Sequence, residues 1–310
     1  MTGTNSAEGF GFCAHDPIWK VTAVSSPEQQ SAAVGFIGLG DQGAPMAQAI
    51  GDHGFDLHVW ARRPTSLEAV ADVPHTVHAT VVDLVAASDI LVLCLRDDSD
   101  IWDVLNTPGV REHLRPGTVI VNHGTGDPGE NVKIAESLRS LGASYVDAPV
   151  SGGGPGAKAR TLTTFFGGDE GAFERCSPVF ATFSTRVSRM GPVGSGQMTK
   201  LLNNAMTMSN LKNAVDLVRL AQQLHVDIPA LLDVISDSSG GSASLRALGT
   251  VITPEIAPHL QGLMRKDIEY FADAVRAQGL DPEELRRRAL AGADGLVEAV
   301  TLATAPGHAA

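Results

Sequence analysis

The sequence predicts an α/β domain with a doubly wound parallel sheet, followed by an all-α domain that a long helix joins to it. Short apolar runs alternate with helical stretches over residues 34–147, which is typical of parallel strands covered by helices on both faces. Residues 197–228 then contain neither Gly nor Pro and repeat apolar side chains at helical spacing. A chain of 310 residues also has the length of about two domains.

Each predicted element follows from a local pattern. In the first domain the predicted strands are residues 34–39, 57–60, 90–95, 119–121 and 145–147, and the first helix is residues 44–53. In the second domain further helices are predicted over residues 229–236, 245–251, 262–277 and 282–302. The pattern changes near Gly191, so we divide the chain into an N-terminal arm (1–31), a sheet domain (32–191) and an all-α domain (192–310).

The composition excludes several classes of function. Lys and Arg number 23 against 35 Asp and Glu, a formal net charge of −12, which disfavours binding to nucleic acid or to an anionic membrane. No apolar stretch is long enough to span a membrane, and the first residues show no signal-peptide pattern. Three widely spaced cysteines indicate a reducing, cytoplasmic setting. The ten histidines lack the spacing of metal ligands, so we expect no metal.

Glycine is in excess, with 33 of 310 residues, and it clusters beside the periodic segments. The first cluster has the spacing G-x-G-x-x-G and lies between a predicted strand and a predicted helix. In that context the glycines allow a tight turn, a close approach of pyrophosphate to the backbone, and close packing of helix on strand. We therefore predict a Rossmann domain that binds a dinucleotide. Its cofactor-binding residues in this turn are Gly38, Leu39, Gly40, Asp41, Gln42 and Gly43.

The end of the second predicted strand indicates which cofactor is used. An acidic residue at this place would bind the ribose hydroxyl of NAD, but the chain has Ala61, Arg62 and Arg63. A guanidinium can form two hydrogen bonds with the 2′-phosphate of NADP. We predict NADP rather than NAD, with a solvated arginine pair in a loop as the alternative.

Lys200 and Asn204 lie four residues apart near the start of the long helix, so they project from one face. A lysine in desolvated surroundings has a lowered pKa and can exchange a proton with a substrate, while an asparagine can hydrogen-bond its oxygen. Alone, such a pair is usually a surface feature. Here it ends the glycine-rich segment 191–204, which follows residues 147–153 (Asp-Ala-Pro-Val-Ser-Gly-Gly) and precedes residues 266–268 (Lys-Asp-Ile).

These segments, together with the dinucleotide turn, form four motifs whose order resembles that of the β-hydroxyacid dehydrogenases. That family includes 3-hydroxyisobutyrate dehydrogenase and tartronate semialdehyde reductase, and 6-phosphogluconate dehydrogenase is a larger relative. The resemblance covers about residues 32–300. It implies an NADP-dependent oxidoreductase that interconverts a small, anionic β-hydroxy acid and its semialdehyde or ketone. It also implies a homodimer or homotetramer with packed α-domains.

The resemblance further implies roles for residues at matching positions. Lys200 would be the general acid and base, and Asn204 would orient the reacting oxygen. Ser151 and the backbone N–H groups of Gly152 and Gly153 would bind the substrate carboxylate. Asp267 would be structural rather than catalytic. The further residues expected at the cofactor are Leu95, Thr125 and Lys266.

Several positions depart from the family pattern. Gln42 stands where the family usually has Met, and Gly124 and Gly126 replace Ser and Ile in the loop on the nicotinamide side. Arg160 replaces a usual Gly, and either faces solvent or reaches a more anionic substrate. His123 is either structural or in contact with substrate or cofactor. We expect these changes to preserve the reaction and the loop 124–126 to determine the choice of substrate.

Three other functions are possible for a chain with these motifs. An imine-reducing relative of the same fold is disfavoured because such enzymes generally lack the lysine found here at Lys200. A decarboxylating reaction is disfavoured because the chain is short and Asn203 stands where 6-phosphogluconate dehydrogenase has His. A non-catalytic NADP-binding sensor or scaffold would have no need of Lys200, Asn204 and Ser151 together.

Overall fold

The first part of the chain is built around one mixed sheet of nine strands. The computed structural model describes residues 32–305, so the predicted N-terminal arm lies outside the described residues. The strands are β1 (Ala33–Ile37), β2 (Asp56–Trp60), β3 (Thr76–Val77), β4 (Ile90–Leu93), β5 (Val119–Asn122), β6 (Ser144–Asp147), β7 (Val150–Ser151), β8 (Leu162–Gly167) and β9 (Ser184–Gly191).

Helices cover both faces of this sheet and form most of the described chain after it. They are α1 (Gly43–Asp52), α2 (Val81–Ala87), α3 (Asp98–Leu105), α4 (Val110–His113), α5 (Pro128–Leu138), α6 (Gly153–Lys158), α7 (Glu170–Phe180), α8 (Ser195–Gln223), α9 (Ile228–Ser236), α10 (Ala243–Ala247), α11 (Ala257–Ala277), α12 (Glu283–Asp294) and α13 (Leu296–Ala303).

The strand order is β3-β2-β1-β4-β5-β6-β8-β7, with β9 paired to the other side of β8. Strands β1 to β6 are parallel, and all of them except the short β3 were predicted. Strand β8 runs antiparallel to β6 and β7, and β9 runs parallel to β8. The sequence did not predict this β7–β9 extension. Its strands carry Thr, Ser and Arg among the apolar residues, so they lack the continuous apolar runs of the central strands.

The two faces of the sheet bury separate apolar clusters, because neighbouring side chains of a strand point to opposite faces. In β4, Ile90 and Val92 pack into one cluster. Leu91 and Leu93 pack into the other. This arrangement confirms the doubly wound fold class.

The remaining helices pack around α8, which has 29 residues and is therefore about 44 Å long. They bury a third apolar cluster against it, which confirms the predicted all-α part. The predicted helical segment 282–302 is helical, but it forms two helices, α12 and α13, that are separated at Gly295. A Cβ on Gly295 would lie 2.7 Å from Cγ1 of Val215, so the chain passes too close to α8 for a side chain. The predicted helix 245–251 is also too long, since α10 ends at Ala247.

Among residues 32–305, no helix is long and apolar enough to cross a membrane.

Candidate functional site

The turn between β1 and α1 contains glycines that are needed for different reasons. A Cβ on Gly38 (φ +105°) would lie 2.1 Å from the carbonyl oxygen of Cys94, and one on Gly43 would lie 1.8 Å from that of Gly38. The fold itself therefore requires these two glycines. A Cβ on Gly40 would meet no atom of the described chain within 4 Å. This open space, beside the N-terminus of α1, fits a bound pyrophosphate.

The same turn lies against the second glycine-rich segment. Leu39 is buried, and Gln42 is half-buried at the N-cap position of α1. A Cβ on Gly154 would lie 3.4 Å from the carbonyl oxygen of Asp41. The predicted cofactor turn and the segment that holds Gly152 are therefore neighbours in the fold.

The expected adenosine end follows β2, where Ala61 is half-buried and the side chains of Arg62 and Arg63 are exposed. The Nη1 atom of Arg62 lies 3.8 Å from Oδ1 of Asp100. The Nη2 atom of Arg96 lies 3.5 Å from Oδ2 of the same carboxylate. The fold therefore adds a third arginine and a carboxylate that the pattern along β2 did not indicate. Both come from the segment after β4, which the parallel sheet brings to the same edge.

On the expected nicotinamide side, the loop 124–126 is held by one amide side chain of α8. The Nε2 atom of Gln197 donates to the carbonyl oxygen of Gly124 at 2.8 Å. Its Oε1 atom accepts from the backbone N–H of Gly126 at 3.0 Å. Thr125 is half-buried between these two contacts, and Leu95 is half-buried after β4. Sequence reasoning did not assign Gln197 a role.

The two glycines of this loop have a local packing cause. A Cβ on Gly124 would lie 2.6 Å from the carbonyl oxygen of Leu95, and one on Gly126 would lie 2.1 Å from Oδ1 of Asp98. The Asp98 carboxylate is buried and accepts hydrogen bonds from the backbone N–H of Asp127 and from Nδ2 of Asn131. Burial raises the pKa of Asp98. The missing side chains thus make room for the carbonyl of Leu95 and for a buried polar network around Asp98, which gives both glycines a packing reason.

The start of α8 is fixed to the end of β6 by a buried carboxylate. Asp147 accepts hydrogen bonds from the backbone N–H groups of Gly194 and Gln197, both at 2.7 Å. Burial raises the pKa of Asp147 to about 6. A Cβ on Gly196 would lie 2.7 Å from the carbonyl oxygen of Asp147, so the close approach also requires glycine. Asp147 therefore sets the position of Lys200 relative to the strand that continues to Ser151.

Lys200 and Asn204 lie on the face of α8 that meets Asp267 of α11. The Nδ2 atom of Asn204 donates to Oδ2 of Asp267 at 2.8 Å. Desolvation lowers the pKa of Lys200, and the nearby charge of Asp267 opposes that shift. Burial raises the pKa of Asp267, while Lys200 opposes it. The arrangement places a lysine of lowered basicity beside an amide whose orientation is fixed.

Lys266, the neighbour of Asp267, reaches from α11 to the sheet domain. Its Nζ atom donates to the carbonyl oxygen of Arg96 at 3.0 Å. It also lies 5.5 Å from the centre of the Tyr270 ring, a cation–π contact. This contact links the helical part of the chain to the segment that carries Leu95 and Arg96.

Ser151 lies at the side of a cavity of about 390 Å³ that Asn203 of α8 also lines. Gly152 and Gly153 follow with φ values of +130° and +62°, conformations that favour glycine. The predicted substrate-binding turn is therefore close to the helix that carries Lys200. Asn203, which lines the cavity, is the chain neighbour of Asn204.

The structure places two residues whose roles the sequence left open, His123 and Arg160. The ring of His123 is buried, donates from Nδ1 to the carbonyl oxygen of Ala148 at 2.6 Å, and packs edge-on against Phe180. Burial lowers its pKa to about 4. This packing agrees with a structural role of His123 rather than with contact to substrate or cofactor. Arg160 has φ +56° and forms an ion pair with Asp52 at the end of α1, an outcome that neither expectation for it included.

Within the described residues, no group of three or more His, Cys, Asp or Glu side chains is placed to bind a metal ion.

Comparisons with known proteins agree with this architecture. The family model for the NAD-binding domain of 6-phosphogluconate dehydrogenase matches residues 33–191. A second model, described as NAD-binding of NADP-dependent 3-hydroxyisobutyrate dehydrogenase, matches residues 194–291. An uncharacterised oxidoreductase of Mycobacterium tuberculosis is 33% identical over 250 residues, which cover 77% of this chain and 84% of the relative. The 2-(hydroxymethyl)glutarate dehydrogenase of Eubacterium barkeri is 31% identical, with 71% of this chain and 73% of the relative covered.

Solved structures show the same fold. A Mycobacterium tuberculosis 3-hydroxyisobutyrate dehydrogenase with L-serine superposes with a TM-score of 0.73 at 27% identity, covering 84% of this chain and 91% of that one. An imine reductase from Pseudomonas sp. has a TM-score of 0.58 at 20% identity over 88% of this chain and 98% of that one, which shows the fold alone. The first family model alone spans more than half of the chain. The chain therefore belongs to the β-hydroxyacid dehydrogenase family and is an NAD(P)-dependent oxidoreductase that acts on hydroxyl groups.

Proposed function

We propose that the chain is an NADP-dependent oxidoreductase that interconverts a small β-hydroxy acid, or a related hydroxy compound, and its semialdehyde or ketone. The observation that carries this proposal is the group of Lys200, Asn204 and Asp267, in which a lysine of lowered pKa lies beside an oriented amide. A nicotinamide dinucleotide bound at the glycine turn would supply or accept the hydride.

Lys200 moves the proton in this proposal. In the reduction direction its ammonium group donates a proton to the substrate oxygen, and in the oxidation direction its neutral amine removes the hydroxyl proton. Desolvation lowers the pKa of Lys200, which makes the exchange of a proton with the substrate oxygen easier than for an ordinary lysine. Asn204 uses one N–H of its amide to bind Asp267, which leaves the second N–H for the substrate oxygen. Asp267 acts through Asn204 and is a positioning residue.

Ser151 and the amides of Gly152 and Gly153 bind the substrate carboxylate. A hydroxyl with free backbone N–H groups forms an anion-binding site without a full counter-charge. Two observations support this role: the positive φ values of both glycines, and the shared cavity of Ser151 and Asn203.

The cofactor preference rests on Ala61, Arg62 and Arg63 and on the absence of an acidic residue at the end of β2. The description of the second family model names an NADP-dependent enzyme. One relative that is 30% identical is named an NAD-dependent L-serine dehydrogenase, so family membership alone does not decide the choice. The further residues that we propose for cofactor binding are Gly38, Leu39, Gly40, Asp41, Gln42, Gly43, Leu95, Thr125 and Lys266.

Two alternative functions are less well supported. The likeness to imine reductases extends to the fold alone, and Lys200 with its buried surroundings favours a hydroxyl substrate. A non-catalytic NADP-binding sensor or scaffold gives no reason for the precise hydrogen bond between Asn204 and Asp267.

We also propose a homodimer or homotetramer and a division of the chain into domains at residues 191/192. Along one side of α8 and its C-terminal cap residue, Leu202, Met206, Leu220 and Leu224 are 48%, 60%, 54% and 64% exposed. Such a row of apolar side chains is costly in water and would be covered by a second copy of the helix. Light scattering coupled to size exclusion should report a mass of two or four chains.

A turnover screen tests the proposed function. Purified protein is assayed with NADP⁺ and NAD⁺ over hydroxy acids, and with NADPH and NADH over semialdehydes and keto acids. We expect turnover of at least one β-hydroxy acid, with a kcat/KM at least about tenfold higher for NADP(H). A tenfold preference for NADH would contradict the cofactor assignment. NADPH binding without turnover of any compound would favour the sensor or scaffold.

A further inference from the structure

The β7–β9 extension aligns three polar side chains in one row across the sheet. Ser151 of β7 pairs with Thr163 of β8, and Thr163 pairs with Arg186 of β9. All three line the cavity of about 390 Å³ described above. Because paired strands lie about 4.8 Å apart, the backbone positions of Ser151 and Arg186 are roughly 10 Å apart. The row therefore begins at the proposed carboxylate site and ends at a guanidinium.

The charge of this cavity is unlike that of the chain as a whole. The protein carries a formal net charge of −12, yet the residues lining the cavity include no Asp or Glu. Many arginines of the described chain pair with carboxylates, such as Arg219 with Glu298. Arg186 has no carboxylate within ion-pair distance among residues 32–305, and its Nε donates to Oγ of Ser188 at 3.3 Å. An arginine and hydroxyls without a counter-charge form an environment suited to an anion.

We propose that Arg186, with Thr163 and Ser188, binds a second anionic group of the substrate, so that the preferred substrate is a β-hydroxy acid carrying two acidic groups. This inference rests on the proposed function, in which Ser151 binds the first carboxylate. The second group is a carboxylate, a phosphate or a phosphonate several bonds away from the first, and the same guanidinium chemistry would bind each of them. Arg186 then selects against substrates that end in a methyl group.

Two compounds that differ only in the second group provide the test. Both 2-(hydroxymethyl)glutarate and 3-hydroxyisobutyrate have a hydroxymethyl group beside a carboxylate, and they differ in a carboxyethyl against a methyl group. A third compound is the analogue of 2-(hydroxymethyl)glutarate in which a phosphonate replaces the distal carboxylate. Arg186→Gln is compared with wild type and with Arg189→Gln. Arg189 lies on the same strand and is exposed, as Arg186 is, but it does not line this cavity, so its variant has the same change of charge outside the proposed site.

We expect wild type to prefer a dianionic compound by at least about tenfold in kcat/KM. Arg186→Gln should remove that preference while changing kcat/KM for 3-hydroxyisobutyrate by less than about twofold, and Arg189→Gln should resemble wild type. The ratio of kcat/KM between the dicarboxylate and its phosphonate analogue identifies the second anionic group. Equal losses with the monoanion and the dianions in Arg186→Gln, or no loss with any compound, would overturn the proposal.

A binding measurement separates failure of this inference from failure of the proposed function. Glutarate and butyrate are titrated calorimetrically into wild type and into Arg186→Gln in the presence of NADP⁺. If no hydroxy acid is turned over but glutarate binds only when Arg186 is present, the site stands and the proposed reaction fails. If turnover depends on Lys200 but glutarate and butyrate bind equally well to both proteins, the proposed reaction stands and the second anion site fails.

Discussion

The substitution Gly40→Ala separates the binding role of the glycine turn from its structural role. A Cβ at this position meets no atom of the described chain within 4 Å, and the φ of Gly40 lies outside the positive region that disfavours alanine. The free energy of unfolding should therefore stay within about 0.5 kcal/mol of wild type or rise by up to about 1 kcal/mol, since alanine restricts the unfolded chain. The new methyl group would instead occupy space that we assign to the pyrophosphate.

We expect the Kd for NADPH to rise by roughly 10- to 100-fold, which corresponds to about 1.4–3 kcal/mol. Gly43→Ala is the comparison, because its Cβ would lie 1.8 Å from the carbonyl oxygen of Gly38 and must displace backbone. That variant should lose about 1–3 kcal/mol of stability or more. Urea unfolding gives the stability, and fluorescence titration gives the affinity. Wild-type affinity for NADPH in Gly40→Ala, or a loss of stability like that of Gly43→Ala, would refute the assignment of this space to the cofactor.

Three further predictions concern charged groups. The pKa of Asp147 is about 6 in the folded chain against 3.8 in the unfolded chain, so the folded state becomes less stable relative to the unfolded state as the pH rises from 4 to 6. In urea unfolding, the free energy of unfolding of wild type should fall by up to about 3 kcal/mol relative to that of Asp147→Asn over this range. A difference that stays constant with pH would contradict the raised pKa. Asp100→Asn frees the guanidinium of Arg62, whose ion pair among the described residues is with Asp100, and should lower the Kd for NADPH several-fold without changing that for NADH; equal effects on both would place Asp100 away from the 2′-phosphate. Arg160→Gly removes a strained φ but also removes an exposed ion pair with Asp52. The Tm should therefore change little or rise. A large fall in Tm would show that the ion pair contributes more to stability than the strain removes.

The sequence was most informative where one segment determines its own structure. The glycine turn, the parallel strands and the long helix each follow from local patterns of glycine and apolar residues, and all are found in the structure. Even there the boundaries of the elements shift. The helix α8 begins at Ser195, after Gly194 in a left-handed conformation with φ +93°.

Features that depend on contacts between distant segments could not be predicted in this way. A Cβ on Gly295 would lie 2.7 Å from Cγ1 of Val215 in α8, and nothing in the local helical pattern shows that neighbour. Asp100 is brought to Arg62 only by the pairing of β1 with β2 and β4. The contacts that require glycine in the loop 124–126 also come from distant segments, from the carbonyl of Leu95 at Gly124 and from the buried carboxylate of Asp98 at Gly126, while the role of this loop in substrate choice stays a prediction.

The row of Ser151, Thr163 and Arg186 illustrates the same limit. Its members are separated along the chain, and only the antiparallel pairing of β7 with β8 and the parallel pairing of β8 with β9 align them. Strand β9 reads Ser-Thr-Arg-Val-Ser-Arg-Met-Gly and lacks the alternation of apolar and polar residues that would have indicated a strand. A strand prediction there would have placed Arg186 on the same sheet as Ser151, although not in the same row.

The central claim is that Lys200 transfers the proton during hydride transfer, and a single-turnover measurement tests it most directly. Lys200→Met retains the apolar stem without the amine, and Lys212→Met is a matched control on the same helix, where Lys212 forms an ion pair with Asp216. The rate of NADPH oxidation is followed with the best semialdehyde or keto acid from the screen, and the Kd for NADPH is measured in parallel. We predict that Lys200→Met binds NADPH within about twofold of wild type but reacts about 10²- to 10⁴-fold more slowly, while Lys212→Met reacts normally. A near-wild-type rate in Lys200→Met would contradict the account.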